Sequence, residues 1–385
     1  MRLLFAALAS HGHIYPLLPL AFAAREAGHE VVFATGEDYL DSLRSAGLKV
    51  ASSGVPVLEA FGEAHDGPLH GVSPEQRIKM AAKVFGDIMP RSVVHDLGPV
   101  FDEFKPDLVI HEVANAGAAM AAAVAGIPAT AHSVSRGMEA VPDAAVAEAM
   151  RPFTAELGLP EPGEHALILG NRCLDIYPGS MQSATFLAGV DRIPLRPVAW
   201  SPPGELPEGI RDKSRPLVYL TLGTAFGHAG VLREAIDGLS RLPVDVLLAT
   251  GPTVGADDLG AVPDNVRVLG WVPQAELLPH VDVVVHHGGS GTTLGASAAG
   301  KPQLILPQGA DQFANAEAVL KAGTGTRLLP GELTADAVVE QVRTLLASEA
   351  VHAAVRRLFD EIAAMPSPGE IAARLADLVD QTSLQ

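Results

Sequence analysis

A run of small residues follows a buried apolar segment in the second half of the chain. Residues 281–285 are β-branched valines apart from Asp282, which is typical of a short buried parallel strand, and residues 286–292 read His-His-Gly-Gly-Ser-Gly-Thr. An alanine-rich helix is predicted from about Thr292. Because a helix N-terminus presents unpaired N–H groups, small residues there let a phosphate approach closely. The pattern predicts a phosphate-binding turn, although the same glycines could form a tight turn that binds no ligand.

Three other chemical groups flank this turn, and each is one that a nucleotide sugar requires. Trp271 opens the segment Trp-Val-Pro-Gln before the apolar run and could stack on a base. His287 ends the predicted strand, and Asp311 with Gln312 follows the next apolar run. Each group also has a structural alternative. Trp271 could be a core aromatic, and Asp311 could cap the helix predicted at 312–322.

The order and spacing of these residues resemble the nucleotide-sugar signature of family-one glycosyltransferases, which have the GT-B fold. The double histidine and the Gly-Gly-Ser-Gly-Thr form look most like bacterial enzymes that glycosylate antibiotics and related natural products. The resemblance implies that the Trp stacks on the base, the His contacts the diphosphate, the small residues bind phosphate and the Asp-Gln pair holds sugar hydroxyls. The donor-binding residues that it implies are Gly223, Thr224, Trp271, Val272, Gln274, His287, Gly288, Gly289, Ser290, Gly291, Thr292, Asp311 and Gln312.

One position departs from the plant members of that family. They carry a Glu three residues after the phosphate-binding segment, which grips both ribose hydroxyls, and the matching residue here is Gly295. We interpret this departure as favouring a deoxyribose nucleotide, so a dTDP-sugar is expected in preference to a UDP-sugar. The nucleotide sugar is a substrate, and no cofactor is expected.

His13 is the candidate catalytic base. An imidazole whose pKa lies near neutrality suits the removal of a proton from an acceptor hydroxyl, and His13 follows the first predicted strand, where an α/β domain places its site. By position alone, His13 could equally cap a helix or fill a loop. Gly12-His13 with Pro16 resembles the catalytic loop of the family, which favours His13 over its neighbour His11.

Glu112 is the partner that the resemblance implies for this base. In the family, an acidic residue after a later strand orients the histidine and supports its protonated form, and the corresponding segment here ends in His111-Glu112. Many relatives have Asp at this position, so the longer Glu112 puts the reach of the carboxylate in question. A surface Glu without a catalytic role is the alternative.

Two irregular regions are predicted to line the acceptor pocket. Residues 52–73 and 136–165 are broken by Gly and Pro and show little periodicity, so both are predicted to be surface loops. Their apolar content suggests a hydrophobic acceptor, polycyclic or macrocyclic. The candidate acceptor-binding residues are Tyr15, Phe61, His65, His132 and Met138.

Length and composition bound the architecture. A chain of 385 residues with 48% hydrophobic content suits two domains. The pattern of strands and helices restarts at residue 217, after a Pro-rich segment. We therefore predict an α/β protein of the GT-B type, with two facing Rossmann-like domains, parallel sheets and an interdomain cleft. The expected parts are an acceptor-binding domain at 1–200, a linker at 201–215, a nucleotide-sugar domain at 216–365 and a C-terminal helix at 366–385 that packs back on the first domain.

Charge and cysteine content exclude several classes of protein. The formal net charge of −18 disfavours nucleic-acid and anionic-membrane partners. No apolar stretch reaches the ~20 residues that a membrane span needs. The first ten residues could pass for a short signal sequence, but a strand followed by a loop explains them better. Cys173 is the only cysteine, so an internal disulfide cannot form and a cytoplasmic location is expected.

The resemblance implies an inverting transfer of a sugar by single displacement. No Asp-x-Asp metal triplet occurs in the sequence, so the leaving diphosphate is expected to be stabilised without a metal ion. The expected partners are a nucleotide sugar and a hydrophobic aglycone, and the chain could form a homodimer. An epimerase-like enzyme, a dehydrogenase and a catalytically silent activator remain alternatives. The dehydrogenase is disfavoured because the first turn reads Ser-His-Gly-His and lacks Gly-x-Gly-x-x-Gly.

Overall fold

The computed structural model describes residues 1–65, 72–137, 143–224 and 228–382. The chain divides into two compact units. The first unit contains Met1–Tyr177, Ser183–Leu195 and the chain from Pro366 onward, and the second contains Pro178–Gln182 and Arg196–Met365. Each unit is therefore built from more than one stretch of the sequence.

Seven parallel strands form the sheet of the first unit, in the order β3-β2-β1-β4-β5-β6-β7. The strands are β1 (Arg2–Ala6), β2 (Glu30–Thr35), β3 (Lys49–Ser52), β4 (Leu108–Glu112), β5 (Ala129–His132), β6 (Cys173–Asp175) and β7 (Arg192–Pro194). The central strands β1 and β4 are buried along nearly their whole length and are mainly apolar, as expected for strands covered on both faces, although β4 ends in His111 and Glu112.

Nine helices of the first unit precede or separate these strands within the described residues. They are α1 (His11–Ile14), α2 (Leu18–Glu26), α3 (Leu40–Ser45), α4 (Val57–Ala64), α5 (Pro74–Lys83), α6 (Met89–Phe104), α7 (Ala116–Ala125), α8 (Asp143–Glu156) and α9 (Ala184–Gly189). A single π-helical turn, Val84–Ile88, joins α5 to α6.

The second unit has a six-stranded parallel sheet in the order β10-β9-β8-β11-β12-β13. Its strands are β8 (Leu217–Thr221), β9 (Asp245–Ala249), β10 (Val266–Leu269), β11 (Val283–His286), β12 (Gln303–Ile305) and β13 (Gly325–Arg327). Its helices are α10 (Ala229–Ser240), α11 (Gln274–Leu277), α12 (Ser290–Ala298), α13 (Gln312–Ala322), α14 (Ala335–Ala347) and α15 (Glu349–Ala363).

The final helices belong to the first unit. They are α16 (Pro368–Ala372) and α17 (Leu375–Thr382), and α16 packs against α2. His29, in the turn after α2, has its Nε2 3.2 Å from the carbonyl oxygen of Ala372, the last residue of α16. The first unit thus contains α16 and α17 together with the N-terminal strands and helices.

Both sheets reverse their strand order next to the first strand of the unit. The reversal lies between β1 and β4 in the first unit and between β8 and β11 in the second. In a doubly wound sheet, the loops that leave the carboxyl ends of these strands diverge and leave a crevice that binds ligands. The loops after β1, β4, β8 and β11 are therefore where each unit's site is to be sought.

Two regions predicted to be irregular each contain a helix, and the prediction of plain surface loops is wrong there. The segment 52–73 contains α4, whose Ala60 is fully buried, and the segment 136–165 contains α8. The buried residues Val146, Met150 and Phe153 follow a helical period along α8. The surrounding prolines and glycines made the helical spacing of apolar residues hard to recognise in the sequence. Packing of those apolar residues against the core stabilises the two helices.

Within the described residues, no helix combines the length and the apolar character needed to cross a membrane.

Helix α10 packs closely against α14 at a glycine, which gives a stability prediction. A Cβ at Gly238 would lie 2.6 Å from the carbonyl oxygen of Ala335 and 2.8 Å from Val338 Cβ. Gly238→Ala is therefore expected to lower the free energy of unfolding by about 1–3 kcal/mol, although alanine is the better helix former. Urea unfolding measures the change.

The matched control lies on the same helix at Gly230, where a Cβ would meet nothing within 4 Å. Gly230→Ala is expected to leave the free energy of unfolding unchanged or to raise it by up to ~1 kcal/mol. Equal effects of the two substitutions would contradict the packing argument.

Candidate functional site

His13 and Glu112 form a hydrogen-bonded pair in the first unit. His13 lies in α1, just after β1, and Glu112 is the last residue of β4, which pairs with β1. His13 Nδ1 is 2.9 Å from Glu112 Oε1, and the Glu112 side chain is fully buried while a quarter of the His13 side chain is exposed. Glu112 Oε2 accepts the backbone N–H of Ala114 at 2.6 Å. The longer side chain of Glu112 therefore reaches the imidazole.

This pair fixes the chemistry of the His13 ring. An ionised carboxylate can only accept hydrogen bonds, so Nδ1 of His13 carries the proton and donates it to Glu112. Nε2 is then the basic nitrogen of the neutral ring. An imidazole oriented from behind by a buried carboxylate is suited to accept a proton and to hold the resulting positive charge.

His11 occupies a different environment from His13. Its ring contacts Tyr15 and Tyr39 edge-on, with both centroids 5.1 Å away, and burial lowers its pKa. Burial, with a contribution from Tyr39, raises the pKa of Tyr15 to about 12. The two histidines of this loop are thus distinguished by their partners, a carboxylate for one and two phenol rings for the other.

The predicted acceptor residues fall in unlike places within the first unit. Tyr15 follows α1 and is half-buried, Phe61 on α4 packs edge-on against Phe85 at 6.2 Å, and His65 follows α4. His132 ends β5 and is fully buried, with Nδ1 2.8 Å from the carbonyl oxygen of Ser133. The fifth candidate, Met138, lies outside the described residues.

His287 is packed between two glycines of the second unit. A Cβ at Gly223 would lie 2.5 Å from His287 Cε1, and a Cβ at Gly289 would lie 2.4 Å from Nε2, so any larger residue at either position would displace the ring. Burial lowers the pKa of His287 to about 4. Its Nδ1 is buried without a hydrogen-bond partner among the described residues. A buried polar atom without a partner is one that a ligand could satisfy.

The turn after His287 leads directly into α12, which begins at Ser290 with Gly289 as its N-cap. No side chain caps this helix. Gly291 is exposed, while Thr292 is nearly buried. The first turn of α12 therefore presents backbone N–H groups beside small side chains, which is a favourable environment for a phosphate.

The base and ribose end of the predicted donor site contains Trp271 and Gln274. Half of the Trp271 side chain is exposed, and a Cβ at Gly204 would lie 3.1 Å from its ring, so the indole rests on the Pro-rich segment and does not belong to the core. Gln274 Oε1 accepts hydrogen bonds from Tyr219 Oη and Thr292 Oγ1, both at 3.3 Å. Val272, which lies between Trp271 and Gln274 in the sequence, is buried.

Gly295 lies on the buried side of α12, close to Gln274. A Cβ there would lie 2.9 Å from Leu278 Cδ1, and Leu278 is itself buried. A longer side chain at this position would require Leu278 to move. Gly295 thus lacks the carboxylate of the Glu found in plant members, and Leu278 occupies the space that a side chain at this position would need.

Asp311 does not cap α13 with its side chain, although it is the N-cap residue. Its Oδ2 instead accepts a hydrogen bond from Ser290 Oγ at 2.7 Å. Gln312 is buried, and its Oε1 accepts the backbone N–H groups of Gln308 and Gly309 at 2.6 and 3.0 Å. The amide nitrogen of Gln312 is the end that can still donate to a ligand. The structure thus disfavours the capping alternative for Asp311.

Two buried residues of this region were not among the candidates from the sequence. His286 accepts the backbone N–H of Gly288 at its Nδ1 (3.1 Å), and its Nε2 lies 3.0 Å from Gln303 Oε1. Burial lowers the pKa of His286 to about 3. Asn315 donates to Gly288 O, Ser290 Oγ and Asp311 Oδ2. The spacing of Asn315, four residues after Asp311 on one helix face, was the signal that could have indicated it.

Within the described residues, no group of three or more His, Cys, Asp or Glu side chains is placed to share a metal ion. Metal independence of any reaction at this site stays a prediction.

Family models match nearly the whole chain. The N-terminal domain described as erythromycin biosynthesis protein CIII-like matches residues 22–223, and the C-terminal domain of the same description matches residues 233–378. The chain is 34% identical to the elloramycin glycosyltransferase ElmGT of Streptomyces olivaceus over 97% of both chains. It is 33% identical to an L-demethylnoviosyl transferase of Streptomyces niveus over 98% of both chains.

Solved structures show the same architecture. The glycosyltransferase SsfS6 of Streptomyces sp. SF2575, complexed with thymidine diphosphate, matches with a TM-score of 0.80 and 27% identity. The match covers 98% of this chain and 99% of that chain.

Buried neutral histidines predict a loss of stability in acid. Burial lowers the pKa of His132 to about 4, against about 6.5 in the unfolded chain, so below pH 6.5 the unfolded state binds a proton that the folded state refuses. The stability that His132 contributes above pH 6.5 is therefore lost as the pH falls toward 4. By pH 5 this loss is about 2 kcal/mol for one such residue.

Urea unfolding at pH 7 and pH 5 tests this expectation. His132→Asn should reduce the fall in unfolding free energy between the two pH values by about 2 kcal/mol. An unaltered pH dependence in the His132 variant would contradict the assignment of a buried neutral ring.

Proposed function

The chain belongs to the erythromycin biosynthesis protein CIII-like family of glycosyltransferases, and from this premise we propose that it transfers a deoxysugar from a thymidine diphosphate donor to a hydrophobic natural-product acceptor. The transfer inverts the anomeric carbon in one displacement, with His13 as the base. The observation that carries the proposal is the contact of His13 Nδ1 with the buried Glu112 carboxylate at 2.9 Å.

The proposed reaction begins at the acceptor hydroxyl. His13 Nε2 takes its proton while the acceptor oxygen forms a bond to C1 of the sugar, and the bond from C1 to the diphosphate oxygen breaks with its electron pair leaving on the diphosphate. Glu112 stabilises the imidazolium that results. A positioned base of this kind contributes ~100- to 10,000-fold to the rate.

The second unit supplies groups that suit the departing diphosphate. Two of these groups follow β11: the buried Nδ1 of His287, which has no hydrogen-bond partner among the described residues, and the N-terminus of α12 at Ser290–Thr292. The third, the turn at Gly223 and Thr224, follows the neighbouring strand β8. Backbone N–H groups and a helix dipole stabilise negative charge without first having to reorganise. We propose that these groups act without a divalent ion.

A thymidine nucleotide is supported by the environment of Gly295. Gly295 itself offers no carboxylate to accept from a ribose 2′-hydroxyl, and Oε1 of the neighbouring Gln274 is already shared by Tyr219 and Thr292. A 2′-hydroxyl that loses water without gaining an acceptor costs about 1–3 kcal/mol. A related structure, SsfS6, was solved with thymidine diphosphate, which agrees with this preference.

A catalytically silent activator is the other candidate that the sequence left open. Such a protein would need no proton acceptor supported by a buried carboxylate, and the chain retains both. Transfer or hydrolysis of a nucleotide sugar by the purified chain would separate the two candidates.

Replacing the base tests the mechanism. His13→Ala should lower kcat by at least ~100-fold because the acceptor hydroxyl loses its proton acceptor, and it should leave the affinity for dTDP unchanged. Glu112→Gln should lower kcat less, since the imidazole remains. The rate is measured by chromatography of the product formed from a dTDP-deoxysugar, such as dTDP-rhamnose, with a panel of hydrophobic aglycones.

The matched control is His11→Ala in the same loop, because His11 contacts Tyr15 and Tyr39 and not the carboxylate. We expect its kcat to stay within ~10-fold of the parent. Parental turnover in His13→Ala would remove the assigned base.

The nucleotide preference is tested with UDP, dUDP and dTDP, which separate the 2′-hydroxyl from the base methyl. Loss of the 2′-hydroxyl should tighten binding, so dUDP is expected to bind at least about 5-fold more tightly than UDP in calorimetry. Binding of dTDP should be as tight as that of dUDP or tighter. Equal or tighter binding of UDP would overturn the interpretation of Gly295.

A further inference from the structure

Gly288 is held on every side by buried groups. Its backbone has a φ of +94°, and its N–H donates to His286 Nδ1 at 3.1 Å. Its carbonyl oxygen accepts from Asn315 Nδ2 at 2.8 Å. A Cβ at this position would lie 2.7 Å from Ile305 Cγ2 and 3.0 Å from the carbonyl oxygen of Gln312. The turn before α12 is therefore fixed through contacts with β12 and α13.

A relay of buried hydrogen bonds connects Gly288 through His286 and Gln303 to Ser297. Nδ1 of His286 accepts a hydrogen bond from the N–H of Gly288, so the neutral ring carries its hydrogen on Nε2 and donates a hydrogen bond to Gln303 Oε1 at 3.0 Å. Gln303 Nε2 then donates to Ser297 Oγ at 3.0 Å, on α12 itself. Both ends of the relay thus hold the helix whose N-terminus is proposed to bind phosphate.

Asn315 on α13 connects this turn to Asp311. The side chain is fully buried, and its Nδ2 lies 2.8 Å from Gly288 O, 3.2 Å from Ser290 Oγ and 3.1 Å from Asp311 Oδ2. Ser290 Oγ also donates to Asp311 Oδ2 at 2.7 Å. One amide therefore lies at the centre of three polar groups that belong to two separate loops.

We infer that Asn315 is a positioning residue that joins the phosphate-side turn, Gly288–Ser290, to the sugar-side carboxylate of Asp311. This inference rests on the proposed function, because it assumes that both loops contact the donor. Since Asp311 Oδ2 is taken up by Ser290 and Asn315, the carboxylate is held in one orientation, with Oδ1 as the remaining acceptor. The diphosphate and the sugar are thus bound by one preorganised unit, and a change at Asn315 affects both.

Chemistry separates this role from simple packing. Asn315→Asp keeps the size of the side chain but replaces the amide donor with a carboxylate about 3 Å from that of Asp311. Two carboxylates at this separation, one at the buried position 315 and one on the partly exposed Asp311, repel each other when both are ionised, so the pair takes up a proton at a higher pH than a lone carboxylate would. A protonated Asp at 315 can again donate to Asp311, whereas Ala at 315 cannot do so at any pH.

The experiment measures the affinities of the parent, Asn315→Asp and Asn315→Ala for dTDP and dTDP-glucose by calorimetry at pH 8 and pH 6. Asn315→Asp should bind dTDP-glucose at least about 10-fold more weakly than the parent at pH 8 and should recover at least about 3-fold of that loss at pH 6. Asn315→Ala should lose affinity equally at both pH values. Circular dichroism monitors folding.

The matched control is Asn265→Asp, the same chemical change in the same unit at the opposite end of a strand. Asn265 precedes β10, and its Nδ2 donates to the carbonyl oxygen of Val244 at 3.0 Å. The Asn265→Asp substitution is expected to leave both affinities within twofold of the parent.

The outcomes separate the two proposals. If the parent binds neither dTDP nor dTDP-glucose, the proposed function fails, and the role of Asn315 fails with it. If the parent binds both and Asn315→Asp binds within twofold of it at pH 8, or shows the same loss at both pH values, only the role of Asn315 is overturned. Should Asn315→Asp not fold, a folded Asn315→Ala that binds dTDP-glucose within twofold of the parent overturns the inference, and a loss of about 10-fold supports it.

Discussion

The pairing of β1 with β4 is the constraint on which the catalytic assignment depends. These strands are distant in the sequence, yet their register places Ala6 beside His111, so Glu112 ends β4 next to the loop that carries His13. The carboxylate is fully buried, and its second oxygen is fixed by the N–H of Ala114. A shift of register by one residue would turn Glu112 to the other face of the sheet and separate it from the imidazole.

In the second unit, the histidines of the candidate site are held neutral by burial. Its turn before α12 contains two adjacent histidines, and burial keeps the pKa of both far below neutrality. His286 serves as a neutral hydrogen-bonding link, and His287 fills the space that Gly223 and Gly289 leave open. If the proposed diphosphate binds here, the positive potential that it meets comes chiefly from backbone N–H groups and the helix dipole.

Several parts of the molecule could be predicted from the sequence because local chemistry determines them. The buried strands are short, mainly apolar runs, and the glycines before α12 indicate a tight turn because they allow backbone conformations that other residues rarely adopt. The parallel direction of the strands follows from the alternation of strand and helix segments, whereas their order in each sheet was not predicted. In contrast, α4 and α8 were hidden by the glycines and prolines around them, since a short helix in such a segment is stable only when a core covers its apolar face.

The sequence by itself determined the class of fold, the family and the two loops that carry the candidate chemistry, since these depend on residue types at fixed spacing along the chain. Only the tertiary structure decided that Asp311 binds Ser290 and does not cap α13, that Trp271 is exposed on Gly204, and that Asn315 joins two loops. Those contacts join residues from separate elements, and one-dimensional spacing does not specify the distances between elements that packing sets. Hydrogen bonds and burial act over a few ångströms in space, so their pattern appears only when the whole unit is folded.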